Sequence, residues 1–134
     1  MFSISRQVDY AVQFLLELAT LLPGQHLSVK QFSLRRNLSF LFLQKIVRRL
    51  KQAGLITATY GAGGGYTLAY SNDSITLYQI MEAVEGKFSA VSCFGEKKDC
   101  PAREVCLSRR VFGQIQSDVI SVMKKYSLQE MSQL

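Results

Sequence analysis

Ser28-Val-Lys-Gln-Phe-Ser-Leu-Arg-Arg-Asn-Leu-Ser39-Phe-Leu-Phe-Leu-Gln-Lys-Ile-Val-Arg-Arg-Leu-Lys-Gln-Ala-Gly54 is the stretch that decides the fold of this 134-residue chain. Ser28 with Gln31 three residues on is a capping box, and it opens a short helix to about Arg36. Asn37-Leu38 is a tight turn. Ser39 caps a further helix with Leu43, Ile46, Val47 and Leu50 on one face, and Gly54 stops it. Two short helices joined by about three residues form a helix-turn-helix. Next comes Leu55-Ile-Thr-Ala-Thr-Tyr60, then Gly61-Ala-Gly-Gly-Gly65, then Tyr66-Thr-Leu-Ala-Tyr70. β-formers on either side of a glycine-rich turn predict a hairpin. A hairpin directly after a recognition helix is a wing. The fold class expected is therefore mainly α with a small β-hairpin wing (α+β), a winged helix-turn-helix. Gly63-Gly64-Gly65 lacks the strand-loop-helix setting and the lysine of a nucleotide-binding loop.

Upstream, Ser5 caps a first helix expected to run to about Leu22, with Val8, Ala11, Val12, Leu15, Ala19 and Leu22 at helical spacing. Downstream, Thr76 and Gln79 form another capping box, with Ile75 and Ile80 placed as a hydrophobic staple, and this helix ends at Gly86. From about Ser108 a long helix carries Phe112, Ile115, Val119, Val122 and Tyr126, spaced three, four, three and four. That is an a/d seam, which predicts a C-terminal dimerisation helix pairing with a second copy. Packing on its own domain is the alternative. The expected organisation is a DNA-binding domain over 1–86, a cysteine-containing loop over 87–107, and a dimerisation helix with its tail over 108–134.

Net charge is +6, and all of it sits in the first half. Residues 1–70 hold eight cations (Arg6, Lys30, Arg35, Arg36, Lys45, Arg48, Arg49 and Lys51) against Asp9 and Glu17, whereas residues 71–134 balance eight against eight. That asymmetry is the footprint of a nucleic-acid-binding half, although a solubilising face has the same composition. Hydrophobic residues make up 48%, enough for a core. No apolar run approaches the roughly 18 to 20 residues of a membrane span, so no membrane partner is expected. The first residues lack the pattern of a signal peptide, and the expected location is the cytoplasm. One histidine in the chain, with no nucleophile–base constellation, argues against an enzyme.

The three cysteines, Cys93, Cys100 and Cys106, lie in one short charged stretch. An odd number excludes a fully paired disulfide framework within one chain. Thiolates gathered in a loop can converge on one metal centre, and soft sulfur favours iron–sulfur clusters, zinc or copper(I). Structural zinc sites usually place paired cysteines two to four residues apart, which is closer than here. Lys97, Lys98 and Arg103 are candidates for balancing the charge of such a centre.

Several phrases carry a family resemblance. Ser5 with Tyr10-Ala11-Val12, Leu38-Ser39 with Phe42-Leu43-Gln44, and Ala53-Gly54-Leu55-Ile56 are three of them. Gly61-Ala-Gly63-Gly64-Gly65-Tyr66-Thr67-Leu68-Ala69 and Glu82-Ala83-Val84-Glu85-Gly86 are two more. Over about residues 3–130 the chain resembles the IscR/NsrR/RirA-type winged-helix regulators of bacteria. The resemblance implies a homodimeric transcription factor on double-stranded DNA. It also implies an iron–sulfur cluster sensing iron, cluster status, nitric oxide or redox state, with Cys93, Cys100 and Cys106 as ligands. In one branch a histidine three residues after the third cysteine completes a two-iron site. Arg109 stands there in this chain, and its only histidine is His26. In the nitric-oxide-sensing branch an aspartate of the partner subunit's first helix is the fourth ligand of a four-iron cluster, and Asp9 aligns with it. The resemblance therefore favours 4Fe–4S over 2Fe–2S. Asp9 also suits a helix's first turn as a plain acid.

A recognition helix places its first residues on base edges, here Ser39, Phe40, Leu41 and Gln44. Apolar side chains suit thymine methyls and Gln44 suits adenine, while Phe40 is equally able to fold back into the core. Arg35, Arg36, Lys45, Arg48 and Arg49 are candidates for phosphate, and Tyr60, Gly64 and Tyr66 for the wing's contact. The operator expected is a pseudo-palindrome. Two alternatives stand beside this reading: a cluster-free winged-helix regulator using cysteine thiol chemistry, and a protein-interaction adaptor that has lost DNA binding, to which the apolar Phe40-Leu41 tip would belong.

Overall fold

The computed structural model describes residues 3–94 and 100–134. Helix α1 (Arg6–Leu18) starts where the Ser5 hydroxyl accepts from the Val8 N–H. It stops four residues earlier than the apolar spacing predicts. Leu21 N–H donates to the Leu18 carbonyl and the Thr20 hydroxyl to that of Glu17, so the chain tightens into turns. Leu22 is left exposed, and the buried face is Val8, Ala11, Phe14, Leu15 and Leu18.

Helix α2 (Val29–Arg36) is capped by the Ser28 hydroxyl and ends at Asn37, whose φ of 53° is a left-handed conformation asparagine tolerates. Helix α3 (Phe40–Gln52) follows after the Ser39 cap. It closes in a Schellman motif: Leu55 N–H donates to the Leu50 carbonyl, Gly54 N–H to that of Lys51, and Gly54 has a φ of 77°. Strands β1 (Ile56–Thr59) and β2 (Gly65–Leu68) pair antiparallel from Ile56↔Leu68 to Thr59↔Gly65. A third piece of chain joins this wing. Leu27 and Tyr66 exchange both backbone hydrogen bonds, at 3.1 and 2.8 Å, tying the wing to the entrance of α2.

Helix α4 (Leu77–Glu85) has the complete capping box of Thr76 and Gln79, with Ile75 and Ile80 both fully buried beside it. A single 3-10 turn covers Ser92–Phe94. Helix α5 (Leu107–Lys125) is the longest element, and α6 (Leu128–Ser132) follows a Ser127 cap. The chain end is stitched back to the start of α4, since Leu77 N–H donates to the Tyr126 carbonyl and Leu128 N–H to that of Ile75, both at 2.8 Å.

One core joins these elements. Phe14 of α1 meets Phe32 of α2 edge-on at 5.2 Å, and Leu43, Ile46 and Leu50 of α3, Ile56 of β1 and Ile80 of α4 close around them. Helix α5 contributes only Met123 as a buried residue, with Val119 and Ile120 partly packed. The architecture is the winged helix-turn-helix expected. Among the described residues no helix is long and apolar enough to cross a membrane.

Candidate functional site

Phe40 and Leu41, the first two residues of α3, face outward. Ser39 Oγ is occupied as a cap acceptor for the Phe42 N–H at 3.4 Å. Phe42 turns inward, its ring 5.6 Å edge-on from Tyr10. Phe40 does not fold into the core. It is 39% exposed and Leu41 is 70% exposed. Gln44, Lys45 and Arg48 are exposed on successive turns of the same helix.

The basic residues sort into two groups. Arg35 and Arg36 both reach Glu17 of α1, at 2.8 and 3.1 Å, and the Glu17 side chain is only 12% exposed. Arg36 also lies 5.9 Å from the Phe32 ring centre. Arg49, although exposed, is engaged by its own chain: one guanidinium nitrogen donates to Gln7 Oε1 at 2.6 Å and to the Val84 carbonyl at 2.7 Å. This links the recognition helix to the C-terminal turn of α4. Lys45 and Arg48 have no ion-pair partner among the described residues. Glu17 is a residue the sequence reading missed. It was legible only as the second of two acids among eight cations in residues 1–70.

In the wing, Tyr60 is 82% exposed, and its hydroxyl accepts from Lys51 Nζ at 2.7 Å. The Lys51 ammonium also lies 5.3 Å from that ring's centre, so α3 and the end of β1 are braced together. The Tyr60 hydroxyl raises the Lys51 pKa by holding the ammonium. Tyr66 points the other way, toward the Phe14 ring at 6.3 Å. Gly64 sits where a β-carbon would strike the Thr59 carbonyl, so the wing loop doubles back on its own strand.

The thiol segment joins α4 to α5. All three cysteines are free; Cys93 is exposed in the 3-10 turn, and Cys100 and Cys106 are half-buried. Gly95 to Asp99, with Lys97 and Lys98, lie outside the described residues. Cys106 is the N-cap of α5. The Ser108 hydroxyl, 3.4 Å from its sulfur, lowers the thiol's pKa, with the first backbone N–H groups of α5 and the Arg109 charge adding to the effect. Arg109 in turn lies over the Phe94 ring at 5.4 Å, and Gln116 Oε1 accepts from the Ala90 N–H. These contacts seat the segment on α5. Asp9 is exposed on α1, where its carboxylate accepts from Gln13 Nε2 at 3.0 Å.

Three free thiols are donors that a soft metal accepts, but they are not gathered into a closed arrangement. Among the described residues no three histidine, cysteine, aspartate or glutamate side chains are grouped to hold a metal ion. The seam positions stay open as well: Phe112, Ile115 and Val122 of α5 are each 40% exposed or more and only Val119 is partly covered, while Tyr126, expected as the last seam residue, lies past the helix as its extended C-cap.

Comparison with known proteins agrees with the winged-helix fold. Protein rrf2 of Nitratidesulfovibrio vulgaris is 32% identical over 122 residues, covering 91% of this chain and 81% of that protein. The HTH-type transcriptional regulator NsrR of Bacillus subtilis is 28% identical over 129 residues, 96% of this chain and 88% of its own. The solved structure of CymR, the global cysteine regulator of B. subtilis, superposes with a TM-score of 0.78 at 29% identity, covering 99% of this chain and 98% of that one. The family model described as an iron-dependent transcriptional regulator, Rrf2, matches residues 4–133, and the chain belongs to that family of DNA-binding transcription regulators.

Proposed function

We propose that this regulator grips a pseudo-palindromic operator as a homodimer and that the state of its three thiols, held in an iron–sulfur cluster, controls that grip. Residues 1–86 bind DNA, 87–107 carry the sensor, and 108–134 join the two copies. The observation that carries the reading is the position of the thiol segment. Every cysteine of the chain lies between α4, which Arg49 ties to the recognition helix, and α5, which exposes the dimerisation seam. A change in that segment therefore bears on both at once.

Cys93, Cys100 and Cys106 would supply three ligands, and the donor type suits iron. The family description names iron, which supports the choice. Arg109 in place of a histidine favours a four-iron over a two-iron centre, with Asp9 of the partner subunit as fourth ligand. Its exposure on α1 leaves it reachable from another chain. If bound there, such a cluster would supply a redox-active centre. The apolar seam of α5, with a groove of about 650 Å³ lined by Met81, Phe88, Phe112 and Ile115, supports pairing through this helix.

The test is a visible absorption spectrum with native mass and iron content on anaerobically purified protein. A brown dimer with four irons per chain is the expected result. A colourless protein that never takes up iron overturns the cluster. The second reading, a cluster-free regulator using thiol chemistry, then stands. It draws on the lowered pKa of Cys106 and on the open arrangement of the three sulfurs.

A further inference from the structure

The first turn of α3 sets two large apolar side chains in solvent, on the face that a helix-turn-helix turns toward its target. Phe40 and Leu41 are exposed although α3 has no shortage of inward residues: Leu43, Ile46, Val47 and Leu50 already fill its buried side. The rim around them is basic. Lys45 and Arg48 stand exposed on the following turns of α3 without an ion-pair partner among the described residues, while Arg35 and Arg36 at the end of α2 are paired with Glu17. A partner for this surface must be anionic at its edges and apolar at a point in its centre. The major groove of DNA matches that description, because between the phosphates its one apolar group is the C5-methyl of thymine.

Resting on the DNA-binding reading above, we propose that Leu41, with Phe40 beside it, reads thymine methyl groups and so determines which operators this regulator selects. Leu41, Gln44, Lys45 and Arg48 share one exposed face at helical spacing. Leu41 and Gln44 are about 4.5 Å apart along the helix axis, which puts the two side chains within reach of neighbouring base pairs. Leu41 thus meets a thymine while the Gln44 amide pairs with adenine N6 and N7 one step away. Lys45 and Arg48 hold the flanking phosphates and add no sequence information. An A·T-rich core to each half-site follows.

The test removes the methyl and nothing else. Duplexes are selected by repeated rounds of binding from a random pool with the whole protein, then remade with deoxyuridine in place of thymine at one position at a time. Affinity is expected to fall about fourfold for each contacted methyl, at one or two positions per half-site. In Leu41→Gln and Phe40→Ala variants, whose altered side chains lie outside the core, that penalty disappears at the corresponding position. Equal affinity for thymine and deoxyuridine duplexes at every position overturns the methyl-reading assignment while leaving DNA binding intact. If no duplex is enriched at all, the DNA-binding reading falls and this assignment with it. The apolar tip then belongs to a protein interface.

Discussion

At the residue scale two glycines of the wing show how different reasons for the same amino acid separate. Gly65 combines a φ of 152° with a position where a β-carbon would lie 2.6 Å from the Leu27 carbonyl oxygen, the atom that accepts from Tyr66 N–H. Gly63 has a φ of 74° and open space around it. Gly65→Ala must therefore part the wing from residue 27 and is expected to lower stability by about 2–4 kcal/mol. Gly63→Ala carries only the left-handed backbone cost of about 1–2 kcal/mol. Urea unfolding of both variants checks the order, and equal losses would refute the clash at Leu27. Cys106 offers a second residue-scale test. Its thiolate is favoured by the Ser108 hydroxyl, then by the backbone and charge at the start of α5. A depressed pKa means the reactive thiolate persists to lower pH. In metal-free protein the alkylation rate of Cys106, followed by peptide mass, should fall off at a lower pH than that of the same sequence as a free peptide. Ser108→Ala should move that midpoint upward.

At the scale of elements, charge alone does not say what an arginine does. Arg48 and Arg49 are neighbours in sequence and both read as phosphate contacts. Arg49 Nη1 is held by Gln7 and the Val84 carbonyl, while Arg48 has no ion-pair partner among the described residues. Arg48→Gln is expected to weaken binding to all duplexes and reduce the salt slope by about 1, with unfolding unchanged. Arg49→Gln is expected to cost about 1–2 kcal/mol of stability and to loosen α3 from α4. Salt titrations paired with thermal unfolding distinguish the two, and identical behaviour would contradict the division. The elements themselves were legible in the chain because their signals are local. Ser5, Ser28, Ser39 and Thr76 each cap a helix within three residues, and Gly54 closes α3. What was not legible lies between distant residues: Glu17 under Arg35 and Arg36, Leu27 added to the wing, and Arg49 on the Val84 carbonyl. The early end of α1 belongs with these, since its apolar spacing continues to Leu22 while the backbone does not. The cysteines were visible as ligand-type residues, but spacing in a chain does not fix whether three sulfurs meet.

At the scale of the whole molecule, α5 is the element whose sequence and surroundings disagree most. It is the longest helix, and its a/d residues Phe112, Ile115 and Val122 remain substantially exposed, as do Val111 and, just past the helix end, Tyr126. Scattered surface apolar residues are ordinary, but a continuous stripe of them along one helix marks an interaction surface. The two ends of the helix are fixed. Arg109 over the Phe94 ring and Gln116 on the Ala90 N–H seat the thiol segment against its N-terminal half, and the Tyr126 and Leu128 backbone holds its end to the start of α4. A second copy seated on the stripe would bury it without disturbing the winged core, to which α5 gives little beyond Met123, Val119 and Ile120. Ile115→Glu and Val122→Glu place charges in that seam and outside the core. Each variant is expected to keep the wild-type unfolding midpoint at low concentration yet sediment as a monomer. Because each half-site then binds alone, affinity for a two-half-site operator should fall by about 10²–10⁴, whereas affinity for a single half-site should not change. Sedimentation together with fluorescence anisotropy on both duplexes decides the matter. A variant that stays dimeric, or one that loses half-site binding too, would mean that the stripe serves the fold of one chain rather than the joining of two.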